Sequence, residues 1–445
     1  MKLVRTAAAL AAALGAVAAQ AQSQDWSQFL GSNAVFPTRL ADRGLAVDRT
    51  TGEIAVQALN DPYGTNDYVH EYTLGPTGAL LPWALFGRFG TDTVLEPSGV
   101  DAAGGHRVSW IHRGNAFTPT TDHVYGMPNG STWPSWEFQV SRYDGRIAAI
   151  ASDAAGGAYV LRVFETTWTG VPGPHTFELI ALDAVGAPRW RQPFRTCAIG
   201  WVPERLTLDV DPANDTLTVA GACGQPFGRY VFAQRVAASS GAAPLQINLP
   251  LVWSEFRDLA FTRAHALVAV FTTNAGLVQV HRLPAGTTLP DPPAVADPAI
   301  DAAALHDLAA SGADDMLLVA DGVRSPVVQR FSPGGPQPAF LLDALAGEGD
   351  WHVSASADDR IVALRVEASN GVTSLVTRLL DTDGAPQREF KLGGIVAGVG
   401  PRVVAPSGGG FVVAIDRRIA DGTIGVAVER IVDASETDTI ELPWP

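Results

Sequence analysis

Short apolar runs alternate with tight polar turns along this chain, and one such pattern recurs eight times. Each copy is a few apolar residues, a turn, and a second apolar run. The turns begin at Asp48, Asp101, Asp153, Asp211, Thr262, Ser311, Ser356 and Pro406, so successive copies lie 45–58 residues apart. Short runs rich in Val and aromatic residues, bounded by Gly, Asp and Ser, read as strands. Strands recurring at a period of about 50 residues predict a circular or solenoid array, and a β-propeller before other arrays.

The third copy shows the unit. Strands are predicted at Ala148–Ser152, Ala158–Phe164, Thr176–Leu182 and Ala187–Phe194, with turns at Asp153–Gly157 and Asp183–Gly186. Gly supplies the positive φ that a tight hairpin needs. Four antiparallel strands make one blade. The fold expected is all-β: a single eight-bladed β-propeller of four-stranded antiparallel blades, with seven blades as the alternative. Unit two is irregular, because few residues separate Gly145 from the first strand of unit three. Its blade either lacks a fourth strand or borrows one from the N-terminal segment. Asp297–Leu308 is the nearest approach to an amphipathic helix, and it is short.

Residues 1–21 read as a secretory signal peptide, with Lys2 and Arg5, an Ala-rich apolar stretch, and a small-x-small site at Ala19–Ala21. Residues 22–42 are expected to pack on the propeller as an N-terminal segment, and residues 43–445 to form it. The destination is the periplasm or the extracellular space. The formal charge of −15 becomes −17 once Lys2 and Arg5 are removed, which disfavours nucleic acid as a partner. No later apolar run is long enough for a membrane span. A monomer is expected.

The two cysteines are too few for a metal-binding cluster. In a propeller, Cys197 after unit three and Cys223 at the end of a strand in unit four fall close enough to form one disulfide. The nine histidines show no zinc-protease spacing, and no G-x-S-x-G or Walker element is present. Asp209–Asp215 is rich in oxygen ligands but reads as a repeat hairpin. Catalytic and metal-binding residues are therefore assigned to none. Arginines recur at the end of the third strand, at Arg142, Arg235, Arg282, Arg330, Arg378 and Arg430. They read as hydrogen-bond donors to neighbouring turns, since a guanidinium fork suits loop carbonyls.

The connections between second and third strands are long and aromatic in the first three units: Asn60–Tyr68, Asn115–Trp136 and Thr166–His175. Exposed aromatics beside Asn and Asp suit sugar or peptide recognition. Tyr63, Asp67, Tyr68, His123, Tyr125, Trp133, Trp136 and Trp168 are the candidate ligand-binding residues, for a glycan, peptide or protein. The alternative is that these loops fold onto their own rim.

Residues Asp25–Gly31 (DWSQFLG) resemble the opening of quinoprotein-type (PQQ-like) bacterial β-propellers. Ala181–Trp190 (ALDAVGAPRW) is similar to the tail of their repeats, and Gly78–Trp83 (GALLPW) is a looser copy. The resemblance implies a propeller and, in the dehydrogenases of the group, a quinone held with calcium by Glu, Asn and Asp. It also implies, in many, a disulfide between adjacent cysteines, whereas Cys197 and Cys223 are far apart. No Ca2+ or PQQ site maps onto this chain, so no cofactor is identified. The preferred reading is an exported, non-catalytic binding or scaffold propeller. The alternative is an exported propeller enzyme, such as a degenerate quinoprotein oxidoreductase or a polysaccharide-active enzyme.

Overall fold

The computed structural model describes residues 26–31, 38–48, 50–60, 68–81, 84–88, 99–115, 118–128, 130–141, 145–164, 167–168, 171–172, 176–194, 197, 202–225, 228–249, 254–298, 300–312, 314–322, 325–342, 351–356, 359–369, 372–396, 401–404, 410–418, 422–431 and 440–441. These residues are nearly all β, and their strands group into antiparallel units of four. The first unit comprises Thr38–Val47, Ile54–Asn60, Tyr68–Leu74 and Ala84–Arg88. The second comprises Gly99–Ala103, His106–Asn115, Thr118–Pro128 and Trp136–Ser141. A single parallel pair, Arg43 with Gly99, joins the first strands of these two units. The third is Arg146–Ser152, Ala158–Phe164, Thr176–Leu182 and Pro188–Phe194.

The later units repeat this order. Their first strands are Val202–Asp211, Ser254–Phe261, Ile300–Ser311, Trp351–Ala355 and Arg402–Val404. The last unit takes its outer strand from the other end of the chain: Trp26–Leu30 pairs antiparallel with Ile424–Ile431, placing Ser27 opposite Glu429. The outer strand of the preceding unit, Pro386–Gly393, gains a parallel partner in Ile440–Glu441.

Three expectations are corrected. Unit two has four strands of its own, and the N-terminal strand serves the last unit instead. Asn115–Trp136 is not a loop, because Thr118–Pro128 within it is the third strand of unit two. Its polar Asp122 belongs in a strand because it is buried as an acceptor for Ile147 N–H at 2.7 Å. Asp297–Leu308 runs mostly in the strand Ile300–Ser311, where pairing with Asp315–Gly322 overrides the helix preference of its alanines.

Second strands are apolar on both faces, as in Ala158–Leu161 and Phe411–Ile415, because each unit is covered by a neighbour on either side. Separate apolar cores lie between successive units. Leu161, Phe177 and Leu179 of the third meet Leu217, Val219 and Phe232 of the fourth. Leu40, Ile54 and Val56 of the first meet Val412, Ala414 and Val426 of the last. Units stacked face to face around to the first again form a β-propeller arrangement.

Side chains stitch the seams. Trp136 Nε1 donates to Gly156 O at 3.1 Å, and Trp190 Nε1 to Ala238 O at 3.0 Å, each in the following unit. Trp136 lies over Gly186, where a Cβ would come within 3.0 Å of the ring, and Trp190 lies over Gly241, where it would come within 2.7 Å. Both glycines have positive φ, so a side chain there is excluded by backbone and by contact. Four of the recurring arginines reach the next unit: Arg235 to Pro284 O at 3.0 Å, Arg282 to Asp314, Arg330 to Asp359 O at 3.4 Å, and Arg430 to Pro76 O. Arg378 instead pairs with Glu389 of its own unit, and Arg142 lies outside the described residues. Cys197 and Cys223 form a disulfide, with their Cα atoms 5.5 Å apart.

The closing seam buries two acids. Asp416 Oδ1 accepts Leu40 N–H at 2.6 Å, and burial pushes its carboxyl up to about 6. Ser27 Oγ donates to Glu429 Oε1 at 2.8 Å, and burial pushes Glu429 up to about 7 despite that bond and Arg417. A carboxyl raised in the fold contributes stability that is complete below its ordinary value and lost as the pH rises through the raised one. Glu429→Gln keeps the acceptor and removes the charge. It should raise the melting temperature by a few degrees at about pH 8 and by little at about pH 5. A variant that melts lower at the higher pH would show that the ionised form holds the seam.

The docking tryptophan gives a second test. Trp136→Ala should cost about 3–5 kcal/mol in denaturant unfolding. Trp133→Ala, three residues away but 73% exposed, should stay within about 0.5 kcal/mol of the parent. Equal losses would contradict this difference in packing.

Candidate functional site

The first strands of the units surround one cavity of about 700 Å³. Its wall includes Leu45, Val100, Ala151, Leu208, Leu308, Val353 and Val403 from seven units. The remaining unit, the fifth, contributes Arg263 and His265 from its first hairpin. Most of these wall residues lie toward the ends of the first strands nearest that hairpin, so the cavity lies toward the hairpin end of the stack. A volume of this size is in the range of small-molecule sites.

A bulge puts Asp307 on this wall, and the fifth unit repeats the feature at Asp258, which is not part of the wall. The pairing register of the first strand shifts between Phe256 and Asp258 in the fifth unit and between Leu305 and Asp307 in the sixth. A bulge redirects the side chain that follows it, and such features gather beside functional sites. In both units the carboxylate then accepts the next residue's N–H at 2.9 Å, from Leu259 and from Leu308. Burial pushes the Asp258 carboxyl up, against Arg205 at 3.7 Å, and the like charge of Asp307 adds to the rise.

The carboxylates on the wall are engaged by protein donors. Asp101 Oδ2 accepts Ser152 N–H at 2.7 Å. Asp307 Oδ2 accepts Val353 N–H at 2.9 Å and stands 3.7 Å from His352 Nδ1. Asp209 Oδ2 lies 2.9 Å from His265 Nδ1, and Asp211 Oδ1 lies 4.0 Å from the other ring nitrogen. His265 holds φ +62°, a left-handed conformation uncommon outside glycine. A carboxylate on one imidazole nitrogen fixes ring orientation and tautomer, which suits binding or proton transfer. Among the described residues, no group of three or more His, Cys, Asp or Glu side chains is arranged to hold a metal ion.

The aromatic residues read from the sequence do not form one face. Tyr63 and Asp67 lie outside the described residues. Tyr68 begins a strand opposite Asn60, and Trp168 sits in a two-residue strand opposite Val171. Tyr68 thus starts the third strand of unit one, and Trp168 lies in the connection between the second and third strands of unit three. Trp133 and Trp136 are instead in or beside the connection between the third and fourth strands of unit two. Pairing of His106 with Pro128 puts that connection at the hairpin end, whereas Asn115 pairs with Thr118 at the opposite end. Trp136 and Tyr125 are buried. His123 is buried as well, with Nδ1 2.6 Å from Glu137 Oε1 and Nε2 2.8 Å from Thr121 Oγ1. Trp133 alone of the eight has a described side chain that is exposed.

Sequence reading passed over the wall residues. A signal was present: Asp307, His352 and Arg402 of the wall, and Asp258 in the unit before them, each stand four positions before a repeat turn, at Ser311, Ser356, Pro406 and Thr262. Four consecutive units thus carry an ionisable group at one register.

No protein-family model matches the chain, and no curated protein matches it. Similar solved structures include a eukaryotic initiation factor, with TM-score 0.43 and 11% identity over 82% of this chain and 96% of that one. A prolyl endopeptidase has TM-score 0.49 and 12% identity over 90% of this chain and 54% of its own. The β-propeller domain of the Trilobed protease from Pyrococcus furiosus, described as having an open velcro topology, has TM-score 0.43 and 9% identity over 77% of this chain and 95% of its own. The propeller arrangement described above rests on this chain's own strand pairing, not on these likenesses.

Proposed function

We propose that this chain is an exported, monomeric, eight-bladed β-propeller that acts as a non-catalytic binding module, with the axial cavity as its ligand site. The observation that carries this reading is the cavity itself, bounded by first strands or first hairpins of all eight units and lined by oriented polar groups. Propeller blades of alternating apolar residues fill their seams without needing ionisable groups at the axis. A bulge places Asp307 on this wall, and such features gather beside functional sites. Export is supported by the Cys197–Cys223 bridge, which persists in oxidising compartments. Among the described residues no helix is long and apolar enough to cross a membrane.

The His265–Asp209 and His352–Asp307 contacts favour a second reading, an exported propeller enzyme using an oriented imidazole as acid or base. The two readings share the cavity and differ in whether the ligand leaves unchanged.

A small-molecule screen by calorimetry locates the site. Ala310→Trp places a large side chain on the cavity wall and should abolish binding of any ligand found. Trp133→Ala should leave that binding unchanged. The reverse pattern would move the site to the rim and end the axial reading. Recovery of the ligand chemically altered would decide for the enzyme.

A further inference from the structure

The axial wall changes character around the ring. Units one to three give it Leu45, Val47, Val100, Ala103 and Ala151 among others. Their polar side chains on it are Thr50, Asp101 and Ser152, and Asp101 is the single ionisable one. Units four to eight each give it at least one ionisable side chain: Asp209, Arg263 with His265, Asp307, His352 and Arg402. The units pack on one another in chain order, and the last packs on the first. The wall therefore divides into two arcs, one largely aliphatic and one carrying charge of both signs.

Contacts across the seams hold the charged arc in place. His265 Nδ1 of the fifth unit lies 2.9 Å from Asp209 Oδ2 of the fourth. Arg263 Nη1 donates to Ser356 O of the seventh at 2.9 Å. Asp307 Oδ2 of the sixth accepts Val353 N–H of the seventh at 2.9 Å and stands 3.7 Å from His352 Nδ1. Polar groups already fixed in position lose little freedom when a ligand arrives.

The charges on the wall also nearly cancel. Three carboxylates accompany two guanidiniums and two imidazoles, so the formal sum is −1 with neutral imidazoles and +1 with both protonated. An ion of either sign that enters meets like charges as well as opposite ones, and gives up its hydration to do so. A neutral hydroxyl both donates and accepts, so it suits carboxylate and guanidinium alike. The aliphatic arc favours hydrocarbon. Hydroxyls set against it have fewer partners, and a buried polar group without a partner is costly.

From these two arcs we infer that the axial cavity takes uncharged ring compounds whose hydroxyls lie along one edge, as in an alkylcatechol. The inference rests on the axial-cavity reading. The hydroxyl edge faces units four to eight, and the hydrocarbon side faces units one to three.

Four small probes separate these features. 4-Ethylcatechol has the proposed form. Dopamine adds an ammonium to it, 3,4-dihydroxyphenylacetate adds a carboxylate, and inositol carries hydroxyls all round. Titration calorimetry on the full protein in neutral, anaerobic buffer should show binding of 4-ethylcatechol, with the other three weaker by roughly tenfold or more. Ala103→Asp and Ala103→Lys each place one charge on the aliphatic arc. Both should weaken 4-ethylcatechol. The Asp variant should shift preference toward dopamine and the Lys variant toward dihydroxyphenylacetate. Melting temperatures check that both variants fold. A charged probe or inositol that binds the parent as tightly as 4-ethylcatechol would overturn the inference and leave the axial site standing. Folded Ala103 variants with unchanged preferences would overturn the placement of the hydrocarbon side. If no probe binds, this ligand class fails, and the axial reading is decided separately by Ala310→Trp. Binding of 4-ethylcatechol that survives Ala310→Trp would end both.

Discussion

A sheet that is apolar on both faces needs a neighbour on both faces, and a stack of such sheets has two bare faces until its ends meet. Here they meet where Trp26–Leu30 pairs with Ile424–Ile431 and the last unit packs on the first. The apolar second strands, the fixed order of four strands per unit and the cavity at the centre all follow from that requirement. Ile54 and Val412 would otherwise face water, as would the core on either side of them. The buried Asp416 and Glu429 show that the seam is built for more than apolar area. Burial pushes both carboxyls up while they hold backbone and side chain of the N-terminal strands in register.

The seams are not equal. Between third and fourth units the contact is broad and apolar, reinforced by a disulfide. Between first and second it is small, and its centre is an ion pair. Arg107 and Glu71 are fully buried there, with Ser109 also donating to Glu71. Arg107 further donates to Pro128 O at 3.1 Å and Ser131 O at 2.7 Å, so it supports the loop that carries Trp133. Burial pushes the Glu71 carboxyl up while Arg107 opposes it. A buried pair of this kind adds little net stability against an apolar replacement, but removing one partner is costly. It fixes the relative position of the two units.

Much of the fold could be read from the chain. The third unit's strands match their expected bounds to within two residues, because its turns carry Asp and Gly at the positions hairpins require. The recurring arginines were legible as turn donors for the same reason. What failed was connection length. In unit two, Asp122 and His123 look like loop residues, but each is buried with partners that sequence cannot show. Mistaking that strand for a loop carried Trp133 and Trp136 to the wrong end of the unit. The cavity wall was hidden by another cause. Asp307 follows a bulge, as does Asp258 at the same register in the fifth unit, and a bulge breaks the alternation by which facing is judged. Spread over four units, Asp258, Asp307, His352 and Arg402 form a pattern only when aligned on the turns.

Ser27 and Glu429, which meet in the closing unit, are 402 positions apart. A ribosome adding about 5–20 residues per second needs roughly 20–80 s to make the second after the first. Throughout that interval the opening strand has no partner and the growing stack has a bare face at each end. Synthesis therefore delivers a chain whose closing pairing waits until Glu429 has been made. Any factor that shields apolar surface has its longest task at the first unit, whose face stays bare until the last unit packs on it.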